Sequence, residues 1–137
     1  MTMKMSDYER IALLNAECFG FEDEYSDINA ILRLLALSNG NYLVTRKDGD
    51  IAAYLLGKTT DEGAQIVRLG SAKSHRGEGL ALGLVRKVIR QCKDSGCRLD
   101  TYCSVTNITS LNIHLKAGMA VRSITTEWVN LEYDPER

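Results

Sequence analysis

QIVRLGSAKSHRGEGLALGLVRKVIRQC, residues 65–92, decides how this chain is read. The apolar positions Ile66, Val67 and Leu69 run into a glycine-rich turn, Arg76-Gly77-Glu78-Gly79-Leu80-Ala81. Leu80, Leu84, Val85, Val88 and Cys92 then recur at helical spacing, with Arg86, Lys87, Arg90 and Lys93 on the other faces. A strand, a tight loop and a helix start make an anion site. The first N–H groups of a helix lack an intrahelical partner, and the macrodipole makes that end positive. Glycine at 77 and 79 lets a ligand approach the backbone closely.

Three phosphate-binding patterns can be tested on this turn. A P-loop fails, because Lys73-Ser74 follows Ala72 and the outer glycine position holds Val67. The dinucleotide fingerprint fails, because the third glycine position is Leu82 and Gly83 comes one place late. The third pattern, Arg/Gln-x-x-Gly-x-Gly/Ala, is met by Arg76, Gly79 and Ala81.

The 137 residues suit one domain, 1–137, able to bury a core. A net charge of −1 gives no electrostatic reason to expect a nucleic acid or a membrane as partner. No apolar run reaches membrane-spanning length and the N-terminus lacks a signal-peptide core, so the default expectation is cytoplasmic. Cys18, Cys92, Cys97 and Cys103 form no Cys-x-x-Cys pair and do not cluster with the histidines; no metal is expected, and the thiols are expected reduced in or near the core.

Working outward, Ser6-Asp7-Tyr8-Glu9 reads as a capping box opening a helix that Gly20 ends, with room for at most a very short strand before it. After the acidic cluster Glu22-Asp23-Glu24, Ser26 or Asp27 caps a second helix that stops at Asn39-Gly40. That cluster serves helix capping and solvation, or attracts a cationic acceptor. Tyr42–Arg46 and Ile51–Leu56 are strands joined by the hairpin signal Asp48-Gly49. A central strand begins near Ala64, and Gly70 within it marks a bulge or a close backbone approach. Ser95-Gly96 closes the long helix, Leu99–Thr106 is a strand, and Thr106 or Asn107 caps a helix that Gly118 ends. Met119–Tyr133 contains no turn signal and reads as one long strand. The alternation predicts an α/β (α+β) fold with helices on both faces of the sheet and a right-handed βαβ crossover over 64–106.

Asn107, Ser110, His114 and Gly118 form a second motif. Together with the 76–81 loop it resembles the GNAT family of N-acetyltransferases, over roughly residues 6–119. That family's pattern is Asn, Ser or Ala three on, Tyr seven on and Gly eleven on, followed by an aromatic residue. Here His114 stands at the tyrosine position and Met119 at the aromatic one. The resemblance implies a mixed, mostly antiparallel sheet flanked by helices, with a splayed strand pair holding the cofactor arm. It implies acetyl transfer from acetyl-CoA to a primary amine, on a small molecule or a peptide. By position, the backbone at Leu69, Gly70 and Ser71 would bond the pantetheine arm and polarise the acetyl carbonyl. Arg76, Gly77, Glu78, Gly79, Leu80 and Ala81 would hold the pyrophosphate. Asn107 would contact the arm, Ser110 would fix the helix beside it, and His114 would be the general acid for the leaving thiolate.

The departures from that pattern matter. The family often places a glutamate base where this chain has Gln65 or Tyr102; Glu62, Asp100 or a water chain would have to substitute. The usual closing hairpin lacks a turn signal, which predicts an unpaired edge strand covered by a second subunit, a homodimer. An acyl-CoA-binding sensor or assembly module without catalysis is the alternative reading. His75, beside the loop, could touch a phosphate or do nothing.

Overall fold

The computed structural model describes residues 6–136. The possible first strand at Met1–Met5 lies outside them. Two helices come first, α1 (Asp7–Phe19) and α2 (Ile28–Leu37), joined by a loop with a 3-10 turn at Glu24–Ser26. Strands β1 (Gly40–Lys47), β2 (Asp50–Thr60) and β3 (Gly63–Ser71) follow, then α3 (Leu80–Ser95), β4 (Arg98–Ser104), α4 (Ile108–Ala117), β5 (Ala120–Ile124) and β6 (Trp128–Tyr133). The caps sit where short polar side chains can take an orphan N–H. Ser6 accepts from the Glu9 N–H, Asp27 from Asn29 and Asn107 from Ser110.

The six strands form one sheet in the order β1-β2-β3-β4-β6-β5. Every neighbouring pair is antiparallel except β3 and β4, which run parallel and are joined through α3. This matches the mostly antiparallel sheet and the central crossover expected from sequence.

Each face of the sheet carries its own core. Along β2, Ala53 and Leu55 pack with Val85 of α3, whereas Tyr54 and Leu56 pack with Ile11, Leu14 and Ile31 of α1 and α2. Burial on both faces explains why β2 reads as an unbroken apolar run.

The strand pair β3/β4 holds together for only four rungs, Gly63↔Arg98 to Ile66↔Thr101. Beyond that β3 continues to Ser71 and β4 to Ser104 without pairing to each other. On the β2 side the register shifts at the same point, Leu56 facing Arg68 and Gly57 facing Ile66, so Val67 is an extra residue. A bulge bends its strand and increases the local twist, and this one lies where the two strands part. The last rung is locked by Thr101 Oγ1, which donates to the Ile66 carbonyl at 2.9 Å.

One open expectation is resolved and one is corrected. Of the two alternatives at Gly70, a bulge or a close approach, the structure has the close approach, since a Cβ there would lie 2.7 Å from Tyr54 Cε1 and 2.8 Å from Cys18 Sγ. Residues 119–133 are not one strand but a hairpin, β5 against β6. Its turn is made by a threonine: Thr125 Oγ1 accepts from the N–H groups of Glu127 (3.3 Å) and Trp128 (3.0 Å). Such side-chain turns need no glycine or proline, which is why composition gave no signal. The argument for a second subunit, a long unpaired edge, falls with that correction. The edge at this end of the sheet, β5, spans five residues and carries Arg122, the short charged form by which edge strands avoid further pairing.

Gly70→Ala is expected to cost about 1–3 kcal/mol, because fully buried Tyr54 cannot move aside. Gly83→Ala, in open space on α3, is expected to add roughly 0.4–1 kcal/mol. Urea denaturation of both variants checks the pair; a neutral Gly70→Ala would refute the close-approach account.

Candidate active site

The parting of β3 and β4 opens a cavity of about 590 Å³ on the α3 and α4 side of the sheet. Leu69, Gly70 and Ser71 of β3, Arg76, Gly77, Gly79, Leu80 and Ala81 of the loop and helix start, and Asn107 and Ser110 of the last helix all line it. Ten of the eleven residues expected to hold a cofactor therefore share one wall. The exception is Glu78, whose carboxylate lies 2.8 Å from His75 Nδ1 and which does not line the cavity, although His75 does.

The loop has the geometry of an anion cradle. Gly77 and Gly79 have φ of +87° and +78°, a region that side chains disfavour. Gly79 caps α3 without any side-chain hydrogen bond, so the first N–H groups of α3 stay available at the positive end of its dipole. Arg76 adds the full charge.

Sequence reasoning missed part of this wall. Cys18 and Phe19 reach it from the end of α1, with the Cys18 thiol 3.4 Å from the Ser71 carbonyl and 3.6 Å from Arg76 Nη2. No local pattern ties residue 18 to residue 71. By contrast Thr109, Asn112, Ile113 and Lys116 of α4 also line it, and their helical spacing after Asn107 was a usable signal.

His114 does not line the cavity. Its ring is 1% exposed, and Nδ1 sits 2.7 Å from the Ser110 carbonyl. A carbonyl only accepts, so Nδ1 carries the proton. Nε2 is then a bare lone pair, buried without a hydrogen-bond partner among the described residues. Burial dominates over the Ser110 bond and pushes the ring's pKa below its ordinary value. A neutral ring with its proton spent on a backbone carbonyl has none to give. The expected acid is thus a core residue, and its bond fastens the first turn of α4 at Ser110.

On the opposite face lies a second cleft of about 380 Å³, lined by Glu24, Tyr25, Gln65, Arg68, Tyr102 and Trp128 among others. The facing follows from register: Arg68 pairs with Leu56 of the α1/α2 core, and Val129 and Leu131 of β6 enter the α3 core, turning Trp128 the other way. The two cavities meet the sheet from either side of the gap. Glu62 and Asp100, considered as bases, are not in this cleft. They line a third, small cavity with Arg98, Arg122 and Glu132, at the end where β3 and β4 are still paired. Among the described residues no group of three or more His, Cys, Asp or Glu is placed to hold a metal, and no helix is long and apolar enough to cross a membrane.

The profile of the acetyltransferase (GNAT) family matches residues 8–119. A Bacillus subtilis protein provisionally named a ribosomal protein bS18-alanine N-acetyltransferase is 26% identical over 118 residues, covering 85% of this chain and 77% of that one. In fold, the chain is similar to a GNAT-family acetyltransferase structure from Desulfovibrio desulfuricans, with a TM-score of 0.79, 14% identity and coverage of 98% and 96%. It is also similar to a Bacillus subtilis acetyltransferase solved in complex with CoA, with a TM-score of 0.72, 16% identity and coverage of 97% and 95%.

The buried neutral His114 makes stability depend on pH. The unfolded chain binds a proton near pH 6.5 that the folded chain refuses, so stability is present above that pH and lost as pH falls below it. The slope is at most about 1.4 kcal/mol per pH unit. Denaturant titrations between pH 7.5 and 5.5 should show this loss in the native protein and a flatter profile in His114→Phe; parallel profiles would mean that the ring is already charged in the fold.

Proposed function

This chain belongs to the acetyltransferase (GNAT) family, and we propose that acetyl-CoA lies in the α3-side cavity while a primary amine enters through the cleft on the other face. The observation that carries this reading is the parting of β3 from β4, which puts one cavity on each side of a single opening. The chain is an acetyl-CoA-dependent N-acetyltransferase.

Arg76 and the N–H groups at Gly77, Gly79, Leu80 and Ala81 take the pyrophosphate, where no side chain competes for them. The freed edge of β3 at Leu69–Ser71 supports the extended arm, and Asn107 and Ser110 close over it from α4. The amine nitrogen attacks the thioester carbonyl, the N–C bond forms, negative charge moves to the oxygen, and fixed N–H donors on the β3 edge stabilise it. The C–S bond then breaks. The amine's proton passes to water and the thiolate takes one back, since neither His114 nor a carboxylate of β3 or β4 stands at the opening. We assign His114 to positioning: it fastens Ser110 and so holds Asn107 and α4 against the cavity.

Of the two acceptors the sequence leaves open, a small molecule and a peptide, the cleft favours the peptide amine. Asp23, the central carboxylate of the acidic cluster, is spent on Arg68, Asn15 and the Tyr25 N–H. That leaves little field to gather a polycation, and the related Bacillus subtilis protein is named for a protein alanine. Positions 65 and 102 hold no carboxylate, consistent with loss of the amine's proton to water.

Calorimetric titration with acetyl-CoA is expected to give micromolar binding, weakened at least roughly 100-fold, about 2.7 kcal/mol, in Gly79→Glu. An unchanged affinity in the variant would move the pyrophosphate off the loop.

A further inference from the structure

We propose that Arg68 reads the carbonyl oxygen next to the acceptor's amine, so that the preferred acceptor is an α-aminoacyl group, the free N-terminus of a peptide. This builds on the reading of the Arg68 cleft as the acceptor site.

The guanidinium is a built recognition element. A guanidinium has five N–H groups in a fixed plane. Three are engaged: Nε donates to Asp23 Oδ2 at 3.1 Å, Nη2 to Asp23 Oδ1 at 2.9 Å and Nη1 to the Val67 carbonyl at 2.7 Å. Its carbon lies 5.1 Å from the Tyr25 ring centre and 5.7 Å from that of Phe19. Anchored by a carboxylate, a carbonyl and two rings, it loses little freedom on binding a ligand. Two N–H groups remain for a ligand, and the side chain is still 28% exposed at the cleft.

Asp23 is itself held, by the Asn15 amide (2.8 Å) and the Tyr25 N–H (3.2 Å), and Asn15 in turn accepts from buried Tyr54 at 2.6 Å. Burial alone would raise the Asp23 pKa; the bonds from Arg68 and Asn15 outweigh it and keep the carboxyl ionised below its ordinary range. The Arg68–Asp23 unit is therefore neutral as a whole while offering directed donors. A neutral carbonyl oxygen satisfies such donors without importing charge. The other cleft charges, Glu24 and Lys58, are of opposite sign, so a polycation gains little there. Tyr25, Tyr102 and Trp128 supply apolar walls for a side chain, and about 380 Å³ falls within the usual range for a small ligand, roughly 300–1,000 Å³. Tyr102 and Trp128 are 55% and 49% exposed, large rings left open to the cleft.

The test uses the full chain saturated with CoA, and the fluorescence of Trp128, the single tryptophan, as a reporter of cleft occupancy. Alanylalanine amide is titrated against n-butylamine, which lacks the carbonyl. The native protein is expected to bind the dipeptide amide at least roughly tenfold more tightly. Arg68→Lys keeps the charge but loses the fork; it is expected to abolish that preference, mainly through KM in acetylation assays, by weakening the dipeptide amide at least roughly tenfold more than butylamine, with CoA affinity close to native and a lowered Tm from the lost Asp23 fork. Equal affinity of the native protein for both amines would overturn the proposal. So would an Arg68→Lys variant that weakens both amines equally, which would make Arg68 a latch for the loop and no more. Turnover of either amine without a Trp128 response would instead place the acceptor elsewhere and overturn the cleft reading itself.

Discussion

A parallel strand pair that stops after four rungs governs this molecule. Hydrogen-bonded sheet is impermeable to a side chain or a ligand; a gap in it is a passage. The gap forms because β3 must satisfy two neighbours with different demands. Its antiparallel partner β2 carries it on to Ser71, but with an extra residue at Val67 that bends it, while β4 reaches it only by a crossover and parts from it at that bend. The Thr101 hydroxyl on the Ile66 carbonyl marks the last point of agreement. Beyond it, β3 presents backbone groups that a ligand can use in place of a strand.

Different elements stand at each mouth of the gap. On one side α3 begins at an αL glycine with no cap and α4 begins at Asn107, so two helix N-termini flank the cavity. On the other side the α1–α2 loop folds over β3 and is fastened there by charge. Asp23 ties together Arg68 of β3, Asn15 of α1 and the backbone of its own loop. One carboxylate thus fixes the shape of the cleft and neutralises the cation that lines it. The buried chain Tyr54–Asn15–Asp23 carries that constraint back into the core.

Most of the lining of the α3-side cavity was legible before any coordinates, for a local reason. A loop that binds anions through its own N–H groups needs only glycines at set positions and a helix directly after, and all of that lies within Arg76–Ala81. The cap at Asn107 is local in the same sense. The closing hairpin was not legible, because its turn is held by a Thr125 hydroxyl, a residue that strands also favour. The role given to His114 by position was misleading, because sequence records neither burial nor the tautomer that the Ser110 carbonyl imposes.

Alone, then, the sequence determined the element types, the central crossover, the glycine loop before α3 and the caps, because each depends on interactions among residues a few positions apart. Tertiary structure decided the rest: that β3 and β4 separate, that Cys18 and Phe19 join the wall of the α3-side cavity, that Arg68 is held by Asp23 across 45 positions of chain, and that Tyr25, Tyr102 and Trp128 share a cleft. Those depend on strand register and on which face each side chain takes. A one-residue bulge changes both, and no periodicity in the chain announces it.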